Sequence, residues 1–255
     1  MRLKPCVTYF LTAFLIGGIG FTVFQKIRNA ELRREKVLEQ LDVERPPAQE
    51  RMALTSSGSS SSFSPDLTGI NWDVPFTSQA PHGEWDEVHK EACEEASILM
   101  TLQYFRSEEI VSPDHAEELL QSVLLRNESL GFAIDTTIVE VRKVLLSLSP
   151  ELDARLLWNP TVDNLTSALS DGALIIMPAD GQALGNPYFR QPGPPYHMLV
   201  LRGFTDDGYA ITNDPGTKRG EAFVYRWETL LDAMHDWNGG DVKNGEKVVL
   251  VVSKK

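Results

Sequence analysis

The sequence predicts an α+β domain behind a single membrane-spanning helix, and three observations predict it. Helical spacing of apolar residues is concentrated between positions 93 and 148, whereas short apolar runs with strand character fill the stretch from 154 to 252. Helices followed by strands, without strict alternation, indicate helices packed on an antiparallel sheet. Ahead of both lies an uncharged run of 18 residues at 7–24, VTYFLTAFLIGGIGFTVF.

That run spans about 27 Å as a helix, enough for a bilayer core. Arg2 and Lys4 precede it, and no Ala-x-Ala pattern follows it, so residues 1–25 are expected to be an uncleaved anchor. A short basic N-terminus leading directly into an apolar run is also how an exported domain begins. The expectation is therefore a single-pass protein whose main domain lies outside the cytoplasm. Lys26, Arg28, Arg33, Arg34 and Lys36 count toward the opposite orientation. Residues 26–44, with Leu32, Val37, Leu38 and Leu41 near helical spacing, predict a juxtamembrane helix ended by Pro46 and Pro47. Residues 45–68 contain a Ser/Gly tract that cannot bury a core and reads as a flexible linker.

Residues 69–255 suffice for one well-buried domain. Within it, 93–105 is expected as a helix with a broad apolar face from Ala96, Leu99, Met100, Leu102 and Tyr104. Ser112-Pro113 caps a second helix through 126, and 135–148 reads as a third. Strands are expected at 154–157, 173–177, 197–204, 209–213 and 248–252. The Thr205-Asp206-Asp207-Gly208 turn joins two of them as a hairpin.

Composition excludes some functions. Residues 69–255 carry net charge −14 and residues 1–68 carry +2, together the −12 of the chain. A domain this acidic repels phosphate backbones, so nucleic acid is not an expected partner. Cys93 is the only cysteine beyond the apolar run, which rules out a disulfide within the domain. A single cysteine is a buried filler, a metal ligand or a reactive thiol.

Its setting favours the last. Cys93 opens a helix, where unpaired N–H groups and the dipole lower a thiol pKa and can hold an oxyanion. Glu91, Glu94 and Glu95 push the other way, so a cationic partner is required. His197, at the mouth of an apolar strand, is the candidate base. Asp214, in the turn Asn213-Asp214-Pro215-Gly216, is returned by the hairpin beside it. Each alone has an ordinary reading, a capped strand end and a common turn. In the order Cys, His, Asp they form the parts of a thiol hydrolase. His89, four residues before Cys93, could join His82 in a zinc site. With one thiolate and no second ligand pair, no metal and no cofactor are expected. The loop 181–195, rich in turn residues and aromatics, could line a cleft or simply connect. Trp85 could be a cleft wall or core.

Residues 73–105, DVPFTSQAPHGEWDEVHKEACEEASILMTLQYF, and 196–216, YHMLVLRGFTDDGYAITNDPG, resemble the two conserved blocks of papain-like cysteine peptidases of family C39, the bacteriocin-leader peptidases and their looser relatives. The resemblance implies a papain-like fold over 69–255. It implies a Cys93 nucleophile, a His197 base and an Asp214 orienter, with Gln79 as oxyanion donor and a peptide or protein as substrate. Gln79 stands 14 residues before Cys93, farther than in the leader peptidases, and no transporter is fused here. Double-glycine leader specificity is therefore not carried over. Two other functions fit the same fold: a catalytically silent domain that captures peptides or cell-wall material, and an acyl transferase of transglutaminase or amidase type.

Overall fold

The computed structural model describes residues 69–255; the anchor, juxtamembrane helix and linker expected over 1–68 lie outside the described residues. Among the described residues no helix is long and apolar enough to cross a membrane.

Among the described residues seven strands form one antiparallel sheet: β1 (Gly69–Asn71), β2 (Leu152–Trp158), β3 (Leu174–Ala179), β4 (His197–Thr205), β5 (Tyr209–Asn213), β6 (Phe223–Arg226) and β7 (Val248–Lys254). Their order is β2-β7-β3-β4-β5-β6, with β1 pairing to the far end of β4. The main helices are α1 (Cys93–Arg106), α2 (Pro113–Ser129), α3 (Ile138–Leu148), α4 (Val162–Ser170), α5 (Gly181–Leu184) and α6 (Trp227–Ala233).

Local sequence accounts for the helix starts. Ser112 accepts the His115 N–H, with Pro113 at the first turn of α2. Thr137 and Glu140 form a reciprocal capping box that sets the start of α3 at Ile138, three residues later than the expected 135. Thr161 and Asn164 do the same for α4.

The sheet is covered on both faces, which the sequence did not show. Met198, Val200, Leu174, Ile176, Leu250 and Val252 pack with α1, α2 and α3. Leu199, Leu201, Ile175, Met177, Val249 and Val251 pack on the other face with α4 and α6. Burial on both sides explains why β3 and β4 read as continuous apolar runs rather than alternating ones. The expected N-terminal helices pack on one face, and the short helices α4 and α6 add a second layer. The expected hairpin forms between β4 and β5, with a register shift between Leu201 and Gly203. β4 thus lies inside the sheet, and its first residue is His197.

Candidate active site

Cys93 is the first residue of α1, held there by a 3-10 turn at His89–Glu91. Residues on either side of His197 act on Cys93 electrostatically: the Met198 backbone N–H favours the thiolate, and Tyr196 and the thiol feel each other's charge. The β4 register against β3 and β5 fixes His197 at the first position of the strand, between these two residues.

His197 Nε2 lies 2.7 Å from Asp214 Oδ1, with both side chains buried. Engaging Nε2 in this way leaves Nδ1 as the ring nitrogen available to a nucleophile. The carboxylate is itself fixed. Gly216 N–H donates to Oδ1 at 3.0 Å, while Asn186 Nδ2 and the Tyr225 hydroxyl donate to Oδ2 at 3.0 and 2.6 Å. Burial would raise the Asp214 pKa, but the facing His197 and these hydrogen bonds hold the carboxyl below its ordinary value. Phe189 packs edge-on to the imidazole, ring centroids 5.1 Å apart. Gly216 fits beneath both rings, since a Cβ there would lie 2.8 Å from His197 Cε1 and 2.7 Å from Phe189.

Gln79 joins the two halves. Its backbone N–H donates to Pro215 O, next to Asp214, and its side-chain Nε2 donates to His89 O at 2.9 Å, ahead of Cys93. The long separation from Cys93 is thus absorbed by the loop and the 3-10 turn. His89 sits before the helix, in the 3-10 turn, where Nδ1 meets Asp86 at 2.9 Å and Nε2 meets Glu117 of α2 at 3.0 Å. The hydrogen bond and charge of Glu117, supported by Asp86, outweigh burial and push His89 up to about 9. His82 pairs with Asp114 at 3.3 Å. The two histidines considered as zinc ligands are each engaged by carboxylates. Among the described residues no group of three potential ligands could hold a metal ion.

The glutamates after Cys93 push against a thiolate as expected, from a buried position. They do not face water at the helix start: Glu94 and Glu95 are 1% and 2% exposed. The Cys93 thiol lies 3.0 Å from Glu94 Oε2. Burial pushes the thiol upward, the Glu94 charge adds to it, and the Met198 N–H opposes it. Cys93 is 5% exposed and His197 1%. Two surface cavities, of about 410 and 270 Å³, adjoin each other at Phe76 and Ile110, and neither is lined by Cys93 or His197. Trp85 is 45% exposed and so is not core.

Sequence reasoning missed Asn186, Tyr225, Phe189 and Gly216 as parts of the site. The turn-rich loop around 181–195 was the signal for Asn186 and Phe189. Tyr225 had none, because β6 is four residues long and half covered.

The Peptidase_C39 like family matches the chain over residues 72–238. The chain belongs to the peptidase C39-like family. The match contains Gln79, Cys93, His197 and Asp214, and the described part is a cysteine peptidase-like domain. Among solved structures, a protein from Bacillus anthracis assigned as a C39-like peptidase is similar. Its identity is 15% and its TM-score 0.48, covering 73% of this chain and 98% of that one. No curated protein matches the chain.

Proposed function

We propose that the C39-like domain is a cysteine peptidase held at a membrane by residues 7–24, with the domain outside the cytoplasm. The observation that carries the catalytic reading is the buried 2.7 Å pair of His197 Nε2 and Asp214 Oδ1, taken together with a helix that starts with Cys93. In this reaction the Cys93 proton passes to His197 Nδ1 as Sγ attacks the substrate carbonyl carbon. Asp214 holds the imidazole tautomer and stabilises the imidazolium. The oxyanion is received by the Cys93 backbone N–H and the second Nε2–H of Gln79, whose first is committed to His89 O. His197 then protonates the leaving amine, and water, deprotonated by the same imidazole, hydrolyses the thioester.

The test is turnover of a peptide library by the full chain in detergent, together with iodoacetamide labelling. Cys93→Ala should abolish labelling within the domain and reduce hydrolysis by a factor on the order of 10³ or more. Hydrolysis that survives the substitution rules the assignment out. Adding an amine acceptor and analysing products separates hydrolysis from acyl transfer. Membrane attachment is read by alkaline extraction, and orientation by protease accessibility in sealed vesicles.

A second reading, a catalytically silent peptide-capturing domain on the same fold, is favoured by the closed, upward-shifted thiol. It requires peptide binding that Cys93→Ala leaves intact, with no turnover by the unaltered protein.

A further inference from the structure

The larger surface cavity, of about 410 Å³, lies at the C-terminal end of α1, the opposite end from Cys93. Gln103, Tyr104 and Ser107 line it from the last turn of the helix and its cap. Gln103 stands about 15 Å along the axis from Cys93. Asp73, Glu108, Glu109 and Glu221 bring four carboxylates to the same cavity. Arg202 answers two of them: its Nη2 lies 3.8 Å from Asp73 Oδ1, and it feels the charge of Glu221. Glu108 and Glu109 have no ion-pair partner among the described residues. The carbonyl end of α1 adds the negative pole of its dipole.

The group that calls for a ligand is Gln103. It is 1% exposed, it lines the cavity, and its Oε1 has no hydrogen-bond partner. A buried acceptor without a donor is costly, and a donor seated in the cavity would satisfy it. Phe76 and Tyr104 add aromatic walls. A guanidinium meets each demand at once, with positive charge, flat faces for stacking and several N–H donors. The adjoining cavity, of about 270 Å³, shares Phe76 and Ile110 with the first and is lined further by Val111, Pro113 and Ala116. Lys218 is its one charged residue. That cavity suits an aliphatic side chain and repels a second cation.

We propose that the two cavities form one groove that binds a peptide segment carrying an arginine next to an apolar residue. The guanidinium sits in the acidic cavity against Gln103, Glu108 and Glu109, and the apolar side chain lies against Ile110 and Val111. This site goes beyond the catalytic reading, since neither cavity is lined by Cys93 or His197.

The probe is acetyl-Leu-Arg-amide, titrated by calorimetry into the full chain in detergent. Saturable binding at about 1 mM or tighter is expected. Citrulline in place of the probe's arginine keeps the shape and removes the charge, and should weaken binding about tenfold. Glycine in place of its leucine should weaken binding about threefold or more. In the protein, Glu108→Gln combined with Glu109→Gln should cost about fivefold or more, and Gln103→Leu about threefold. Equal binding of either altered probe overturns the proposal, and so does an affinity that either variant retains. Both glutamates are exposed, so their variant stays informative if Gln103→Leu fails to fold. Cys93→Ala should bind the probe as the unaltered chain does. Loss of binding there would place the probe at the catalytic residues and overturn a separate site, whereas a lack of hydrolysis leaves this result untouched.

Discussion

Asp214 receives His197 and Gly216 on one carboxylate oxygen and Asn186 and Tyr225 on the other. A buried carboxylate with each oxygen doubly engaged cannot swing, and the imidazole on it cannot turn. Tyr225→Phe removes the shortest of these bonds and leaves Oδ2 to Asn186 alone. The expected cost is about 1–3 kcal/mol of unfolding free energy, measured by urea denaturation. Hydrolysis should fall with it, because the ring loses part of its support. An unchanged stability would show that the hydroxyl bond contributes nothing. At this scale the sequence was legible where chemistry is local. Cys93 at a helix start and His197 at a strand mouth could be read from their neighbours. Asn186 and Tyr225 reach Asp214 from 28 and 11 positions away, and no spacing announces that convergence. The opposing push of Glu94 and Glu95 on the thiol was legible, but their burial was not, for a related reason. Acids in a first turn normally face solvent and the dipole, and only packing against the 135–138 segment and Tyr196 turns them inward.

Elements long enough to carry a pattern were legible, and shorter ones were not. α1, α2, β4 and β5 appear close to their expected limits because their apolar periodicity runs over several residues. β1 and β6, of three and four residues, carry too few positions for a period to show. Two-sided burial of β3 and β7 likewise hid the second helical layer, since a continuous apolar run does not say what covers each face. The attachment of β1 depends on a single small residue. A Cβ on Gly203 would lie 2.0 Å from Ile70 O and 2.8 Å from Asn71 Cα. Gly203→Ala should therefore lift β1 from β4 and accelerate hydrogen exchange over 69–72, where Trp72 N–H also bonds to Arg202 O. Exchange that stays slow there would mean the backbone accommodates the methyl group without parting.

Across the whole domain, the segment that carries Gln79 is fastened to α2 by His82 at Asp114 and, in a more buried pair, by His89 at Glu117. His89 bridges Asp86 and Glu117 and is pushed up to about 9, above the ordinary value near 6.5. A pKa raised on folding gives stability that is complete below about 6.5 and is lost as pH rises through about 9. Thermal unfolding of the unaltered protein should decline across that window, while His89→Gln should be less stable at pH 6 and flatter above it. A parallel pH dependence in both proteins would place the titration elsewhere. The C39-like assignment, the α+β class and the strands flanking the site agree with what the residues indicated. The closed thiol and the position of Gln79 emerged only from packing.

The polypeptide enters the described domain at Gly69, and β1 is bonded to the strand that begins with His197. This connection has a mechanical consequence. Tension applied ahead of Gly69 would load the three β1–β4 pairs first, and through them the far end of the histidine's own strand. Pulling at this point would act as a lever on the strand that carries His197, so stretching single molecules while monitoring alkylation of Cys93 would show whether force changes access to the thiol.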